Sequence, residues 1–138
     1  MSSKKQTKRP ETFEEVCAKT GKNVADYAVP ETASYAEKVA IRMQRCKLVA
    51  KALNGDKKIE IANTDQWKHY PWFWINPEAD APGGFRLSFC VSGSDDDGSG
   101  IGVRPYYIEE SDSDFAGTTF LAEYEALLQD EAMALLED

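Results

Sequence analysis

The chain has 138 residues, of which 42% are hydrophobic and 29% are charged, a balance typical of a single soluble globular domain. No apolar run approaches the roughly 20 residues that cross a bilayer, and the polar N-terminus lacks the apolar segment of a secretory signal. Three widely spaced cysteines, Cys17, Cys46 and Cys90, favour free thiols and a cytoplasmic setting. With one histidine and no C-x-x-C motif, the sequence predicts no metal, no cofactor and no membrane association.

The formal net charge of −8 is unevenly divided along the chain. Residues 1–58 carry 13 Lys and Arg against 7 Asp and Glu, whereas residues 59–138 carry 3 against 17. The acidic half would repel phosphate, which disfavours nucleic acid as its partner, while the basic half could attract phosphate.

The N-terminal half is predicted to be helical. Residues 1–10 indicate a disordered basic tail, and residues 11–138 a single domain. Thr12 is predicted to cap a short helix that ends at Gly21. A longer helix is predicted from Glu31 or Thr32 to about residue 54, because its apolar residues recur every three or four positions.

A cationic stripe lies beside the apolar face of this longer helix. Its members are Lys38, Arg42 and Arg45. The stripe could hold a phosphate backbone, which is the basis of a nucleic-acid-binding hypothesis. The alternative, and the more common case, is that such a stripe is simply solvated.

All three tryptophans lie within residues 67–74, which read WKHYPWFW. This density of large rings indicates either the centre of the core or a binding face. Pro71 prevents a helix from continuing through it and favours an extended Tyr70, so a strand is predicted with Trp72 and Trp74 on one face and Phe73 on the other. We predict that Trp72 or Trp74 is largely buried.

The rest of the chain predicts two more strands and a helix. Residues 85–91 alternate between apolar and small or polar side chains, residues 101–108 indicate a strand broken at Pro105, and residues 114–136 indicate a helix. The acidic segment 95–100 is similar to a calcium loop but lacks its final glutamate, which favours an acidic hairpin loop. The predicted fold is α+β, a three- or four-stranded antiparallel meander packed against two or three helices.

The alternation also predicts a partner site on the outer face of the sheet. Phe85, Leu87, Phe89 and Val91 are expected inward, and Arg86, Ser88, Cys90 and Ser92 outward. Aromatic rings beside an arginine match the composition of interaction hot spots. The predicted anchors are Tyr70, Phe73, Arg86 and Tyr107. The alternative is that these rings are covered within the monomer.

Three sequence motifs carry a resemblance that covers roughly residues 35–128. They are Tyr70-Pro-Trp-Phe73, Gly84-Phe-Arg-Leu87, and Phe115-Ala-Gly-Thr-Thr-Phe120 followed by Tyr124. The chain resembles a family of short proteins of Bacteroides-type gut bacteria and their phages and prophages, and it departs from that family at Gly100–Tyr107. The resemblance implies a phage or mobile-element context and no particular chemistry.

The sequence and the resemblance lead to one functional hypothesis and two alternatives. The first is a non-enzymatic phage or prophage protein that binds a protein partner, in the host cytoplasm or in a virion. The second is nucleic-acid binding by the basic half, through Lys38, Arg42 and Arg45. The third is an acidic nucleic-acid mimic that inhibits a host defence enzyme.

Overall fold

The computed structural model describes residues 8–60, 62–63, 65–94 and 105–137, and these form an α+β fold, as predicted. Four α-helices and one two-stranded antiparallel sheet make up the described part. In chain order these are α1 (Phe13–Thr20), α2 (Tyr35–Asn54), β1 (His69–Pro77), β2 (Phe85–Ser94), α3 (Glu110–Thr119) and α4 (Leu121–Ala134). Short 3-10 turns span Val24–Tyr27 and Pro82–Gly84.

The predicted three- or four-stranded meander is not confirmed. Within the described ranges the sheet has two strands. Residues 101–104 of the predicted third strand lie outside the described residues, as does the acidic segment 95–100. Tyr107 forms an antiparallel bridge with His69, so the end of the predicted strand does lie beside β1.

The helix boundaries follow local capping chemistry. The Thr12 hydroxyl accepts a hydrogen bond from the Glu15 amide (3.1 Å), and Gly21 adopts φ 72°, as predicted for the two ends of α1. α2 begins later than predicted because Ser34 and Glu37 form a reciprocal capping box. The predicted final helix is divided into α3 and α4.

The last residues of the predicted tail pack against the domain. Pro10 is buried, and the Arg9 side chain donates to Asp112 (2.9 Å) and to Ser111 (3.1 Å) at the start of α3. The Arg9 guanidinium also lies 5.3 Å from the centre of the Phe115 ring. The packed chain therefore begins before residue 11. Residues 1–7 lie outside the described residues.

The core lies where α1, α2 and α4 meet and extends to the inner side of the β1–β2 hairpin. Apolar side chains from these elements exclude water from it, which is the main stabilising contribution in a domain of this size. Its members include Phe13, Val16, Cys46, Val49, Leu53, Tyr107, Phe120, Tyr124 and Leu127. α3 leads into α4 and lies across the hairpin, so it decides which face of the sheet is covered.

A β-bulge sets the two faces of the hairpin. Trp72 pairs with Val91 and Phe73 pairs with Phe89, so Cys90 is an extra residue in β2. An extra residue reverses the alternation of side chains beyond it. Val91 is therefore 55% exposed, and its predicted inward position is wrong.

Candidate partner-binding surface

The inner face of the hairpin is fixed by a close contact with α3. A Cβ atom placed on Gly117 would lie 2.3 Å from Cδ1 of Phe89 and 2.9 Å from Cβ of Pro71. Only a residue without a side chain lets the helix approach these two side chains so closely. Phe73 lies on the same face, with its ring centre 5.3 Å from that of Tyr124 in α4. The part of the inner face formed by Pro71, Phe73 and Phe89 is thus covered by the helices.

The opposite face carries the tryptophans, which are exposed. Trp72 is 55% exposed and Trp74 is 61% exposed, so the prediction that one of them is largely buried is wrong. The reason is the strand alternation: once Pro71 and Phe73 face α3 and α4, Trp72 and Trp74 must point away from them. We call this surface, formed by Tyr70, Trp72, Trp74, Ser88 and Val91, the tryptophan face.

The tryptophan face is an ordered surface built on paired strands. Tyr70 packs on Gly93, where an added Cβ would lie 2.9 Å from the ring, and its ring centre lies 6.5 Å from that of Trp72. At the other end of the tryptophan face, the side-chain amide of Asn76 donates to the hydroxyl of Ser88 (3.2 Å). The two indoles therefore stand between an aromatic end and a polar end of one face.

Two of the four predicted anchors are not on this face. Tyr107 is fully buried (0% exposed), and its hydroxyl lies 2.6 Å from that of Tyr124. Burial raises the pKa of both hydroxyls well above the usual phenol range. Phe73 packs on the inner face. The predicted outer positions of Phe73 and Tyr107 are therefore wrong, because α4 supplies Tyr124 as a partner for both rings.

The other two predicted anchors do lie near the outer surface. Tyr70 is half-buried within the tryptophan face. Arg86 is exposed, but its guanidinium is paired with Glu78 (3.2 Å) and with Glu125 of α4 (3.3 Å). Arg86 therefore adds little free positive charge to the surface around the tryptophans.

Arg45 in the predicted cationic stripe is directed into the protein. Its guanidinium makes two parallel hydrogen bonds to the Glu123 carboxylate, Nε to Oε1 at 2.7 Å and Nη2 to Oε2 at 2.8 Å. It also donates to the carbonyl of Tyr27 (2.8 Å) and lies 3.8 Å from the centre of the Phe13 ring. Such a fork is the preferred geometry for an arginine–carboxylate pair.

The rest of the stripe follows the same pattern. Arg42 pairs with Asp130 (3.0 Å), so two arginines of α2 connect it to α4. The Nζ atom of Lys38 lies 4.8 Å from the centre of the Tyr35 ring in the same helix. The two arginines of the stripe are thus not simply solvated, because they form partly buried ion pairs. Two of the three residues named in the nucleic-acid hypothesis, Arg42 and Arg45, are therefore engaged within the protein, and binding of nucleic acid stays a prediction.

The cation within the aromatic segment is also withdrawn from the surface. Lys68 is fully buried, and its ammonium donates to the carbonyls of Asn63 (3.1 Å) and Gln66 (2.9 Å). The neighbouring Nδ1 of His69 is buried with no hydrogen-bond partner among the described residues. Nothing in the sequence indicated that Lys68 would be buried. Its acceptors are backbone carbonyls, which every residue type carries, so no sequence motif marks them.

Comparisons of the chain with protein-family models, with curated proteins and with solved structures find no match. Among the described residues, no group of three or more His, Cys, Asp and Glu side chains could hold a metal ion. Across the same ranges, none of the helices has both the length and the apolar character needed to span a membrane.

Proposed function

We propose that this chain is a non-enzymatic protein-interaction module of phage or prophage origin, and that its partner binds the tryptophan face. The observation that carries the proposal is that Trp72 and Trp74 are each more than half exposed on one face of a paired strand. Exposed indoles leave apolar surface in water, and their burial by a partner would stabilise a complex. Tryptophan is also among the residues enriched at interaction hot spots.

The close packing of α3 against the back of the hairpin supports this role. α3 covers the inner face through Gly117, so the strand that carries the indoles is held from behind. A partner that docks on a preformed surface loses less conformational freedom than one that must order a loop. Val91 extends the apolar surface onto β2, and Ser88 with Asn76 supplies a polar margin. An apolar centre with a polar rim is the usual anatomy of an interface.

Site-specific photo-cross-linking tests the proposal. A photoreactive phenylalanine analogue placed at position 72 should form a discrete protein adduct in the cells that produce the chain. The matched control is position 67, because Trp67 is also an exposed tryptophan (47%) but precedes β1. Trp74→Ser should abolish the adduct from position 72. The proposal is wrong if position 72 gives no adduct, or if position 67 gives the same one.

A further inference from the structure

The surface around the hairpin is short of free positive charge. In the described part of residues 59–137 the only Lys and Arg side chains are Lys68 and Arg86. Lys68 is buried against carbonyls, and Arg86 is paired with two carboxylates. A ligand that approaches the tryptophan face therefore meets no unpaired cation among the described residues of this half.

Negative charge, in contrast, occurs at both ends of the hairpin. Asp80 is exposed in the turn between the strands, and among the described residues no cation pairs with it. At the other end, Asp114 of α3 accepts a hydrogen bond from Ser92 of β2 (2.6 Å). The summed field of such a surface attracts cations and repels anions.

The protein uses rings elsewhere to hold its own cations. Arg45 lies over Phe13, Arg9 over Phe115, and Lys38 over Tyr35, at 3.8, 5.3 and 4.8 Å from the ring centres. Tryptophan offers a stronger cation–π surface than phenylalanine or tyrosine. Within the described residues, neither exposed indole of the tryptophan face has such a cation. These rings are chemically suited to a cation that the chain itself does not supply.

We propose that the occupant of the tryptophan face is an extended partner segment that carries Lys or Arg at alternate positions. Its cations would stack on the indoles of Trp72 and Trp74. The spacing supports this: the indoles are two residues apart on a strand, roughly 6.6–6.8 Å, and side chains i and i+2 of an extended peptide repeat at the same interval. This inference rests on the proposed function, because it names the chemistry of the partner for the same face.

Peptides of defined charge provide the test on the full-length protein. The probe is acetyl-(Arg-Gly)5-amide, and the controls are the same peptide with Gln or Glu in place of Arg. Isothermal titration calorimetry, whose signal does not depend on the indoles, should show binding of the Arg peptide, with at least about tenfold weaker binding of the Gln peptide. Affinity should fall when salt is raised from about 30 mM to about 300 mM, because attraction between exposed charges is screened.

Variants locate the binding. Trp72→Ser combined with Trp74→Ser should weaken binding of the Arg peptide at least about tenfold, whereas Trp67→Ser should leave it unchanged. Equal binding by the double variant would mean that the acidic surface binds cations without the indoles, and would overturn the inference. Equal binding of the Gln and Arg peptides would also overturn it, while leaving the tryptophan face as an interaction site.

Two other occupants are distinguished in the same experiments. If Lys4→Glu with Lys5→Glu raises the peptide affinity tenfold, and Lys19→Glu with Lys22→Glu, which changes the net charge equally, does not, the chain's own N-terminus competes for the face and the inference is wrong. If the full-length protein is a dimer that Trp72→Ser with Trp74→Ser dissociates, a second copy is the occupant and the inference is again wrong. The cross-linking at position 72 tests the proposed function independently, because it makes no assumption about the partner's charge.

Discussion

The two faces of the β1–β2 hairpin differ sharply although they are built from one aromatic segment. Phe73 lies on the inner face against Tyr124, and its neighbour Trp72 lies on the outer face, 55% exposed. The larger ring is the one in water. Burial on this hairpin is therefore decided by the surface that α3 presents, not by the size of the rings.

The difference also separates structural residues from candidate binding residues within one motif. In Tyr70-Pro-Trp-Phe73, Pro71 lies against Gly117, Phe73 against Tyr124, and Tyr70 on Gly93. Each of these three has a packing partner that explains the residue type. Trp72 is the member with a large exposed surface, so a binding role explains it better than a role in the fold.

The largest expected effect is a difference in stability when the two neighbouring rings are truncated in turn. Phe73→Ala removes a ring that packs on Tyr124 and Phe89, and should lower the free energy of unfolding by about 3 kcal/mol. Trp72→Ala should change it by no more than about 1 kcal/mol, because more than half of the residue is already exposed and its remaining contacts are with neighbours on the same face. Urea denaturation of both variants gives the two values. Equal losses would mean that the faces are not distinct.

The contact that selects the inner face can be tested at Gly117. Gly117→Ala places a methyl group where Phe89 and Pro71 already lie, and should cost about 2 kcal/mol in spite of the better helix propensity of alanine. The measurement is again the free energy of unfolding in urea.

Thr119→Ala is the matched control for Gly117→Ala, because Thr119 is exposed in the last turn of the same helix. It should have little effect on stability. A stabilised Gly117→Ala variant would show that α3 does not press on the hairpin, and the reason given for the exposure of the tryptophans would be lost.

Local signals in the sequence were sufficient for the helix ends and for the presence of the strands. Thr12 and Gly21 act on their own backbone, so their roles can be predicted without knowing the fold. Which side chains of the hairpin face the helices could not be predicted. This depends on Gly117, which is distant in sequence, and on the extra residue Cys90.

Phe73 and Tyr107 were consequently predicted on the outer face, although both pack against Tyr124 of α4. The alternation gives two sets of side chains, and it does not say which set faces the helices. The glycine in Phe115-Ala-Gly-Thr-Thr-Phe120 was the available signal, because glycine inside a helix often marks a close approach. The pairing of Arg45 with Glu123 had no comparable signal, since it joins helices that are far apart in the chain.

A smaller effect is expected behind the inner face, at the buried hydroxyl pair. Tyr107→Phe leaves the Tyr124 hydroxyl without its partner at 2.6 Å, and should cost about 1–2 kcal/mol. Adding Tyr124→Phe should cost less than a second loss of that size, because no unpaired hydroxyl then remains. A double-mutant cycle in urea measures this coupling. Strict additivity would mean that the two hydroxyls do not interact.

The smallest expected effect is in the intrinsic fluorescence, and it bears directly on the outer face. Trp67, Trp72 and Trp74 are 47%, 55% and 61% exposed, and they are the only tryptophans of the chain. Native emission should therefore lie close to that of the urea-unfolded protein, and acrylamide should quench both states to a similar extent, because the indoles already contact water. Trp72→Phe and Trp74→Phe should each lower the intensity with little change in the emission maximum. If acrylamide quenched the native protein much less than the unfolded protein, an indole would lie in an apolar interior. The surface proposed for the partner would then not exist.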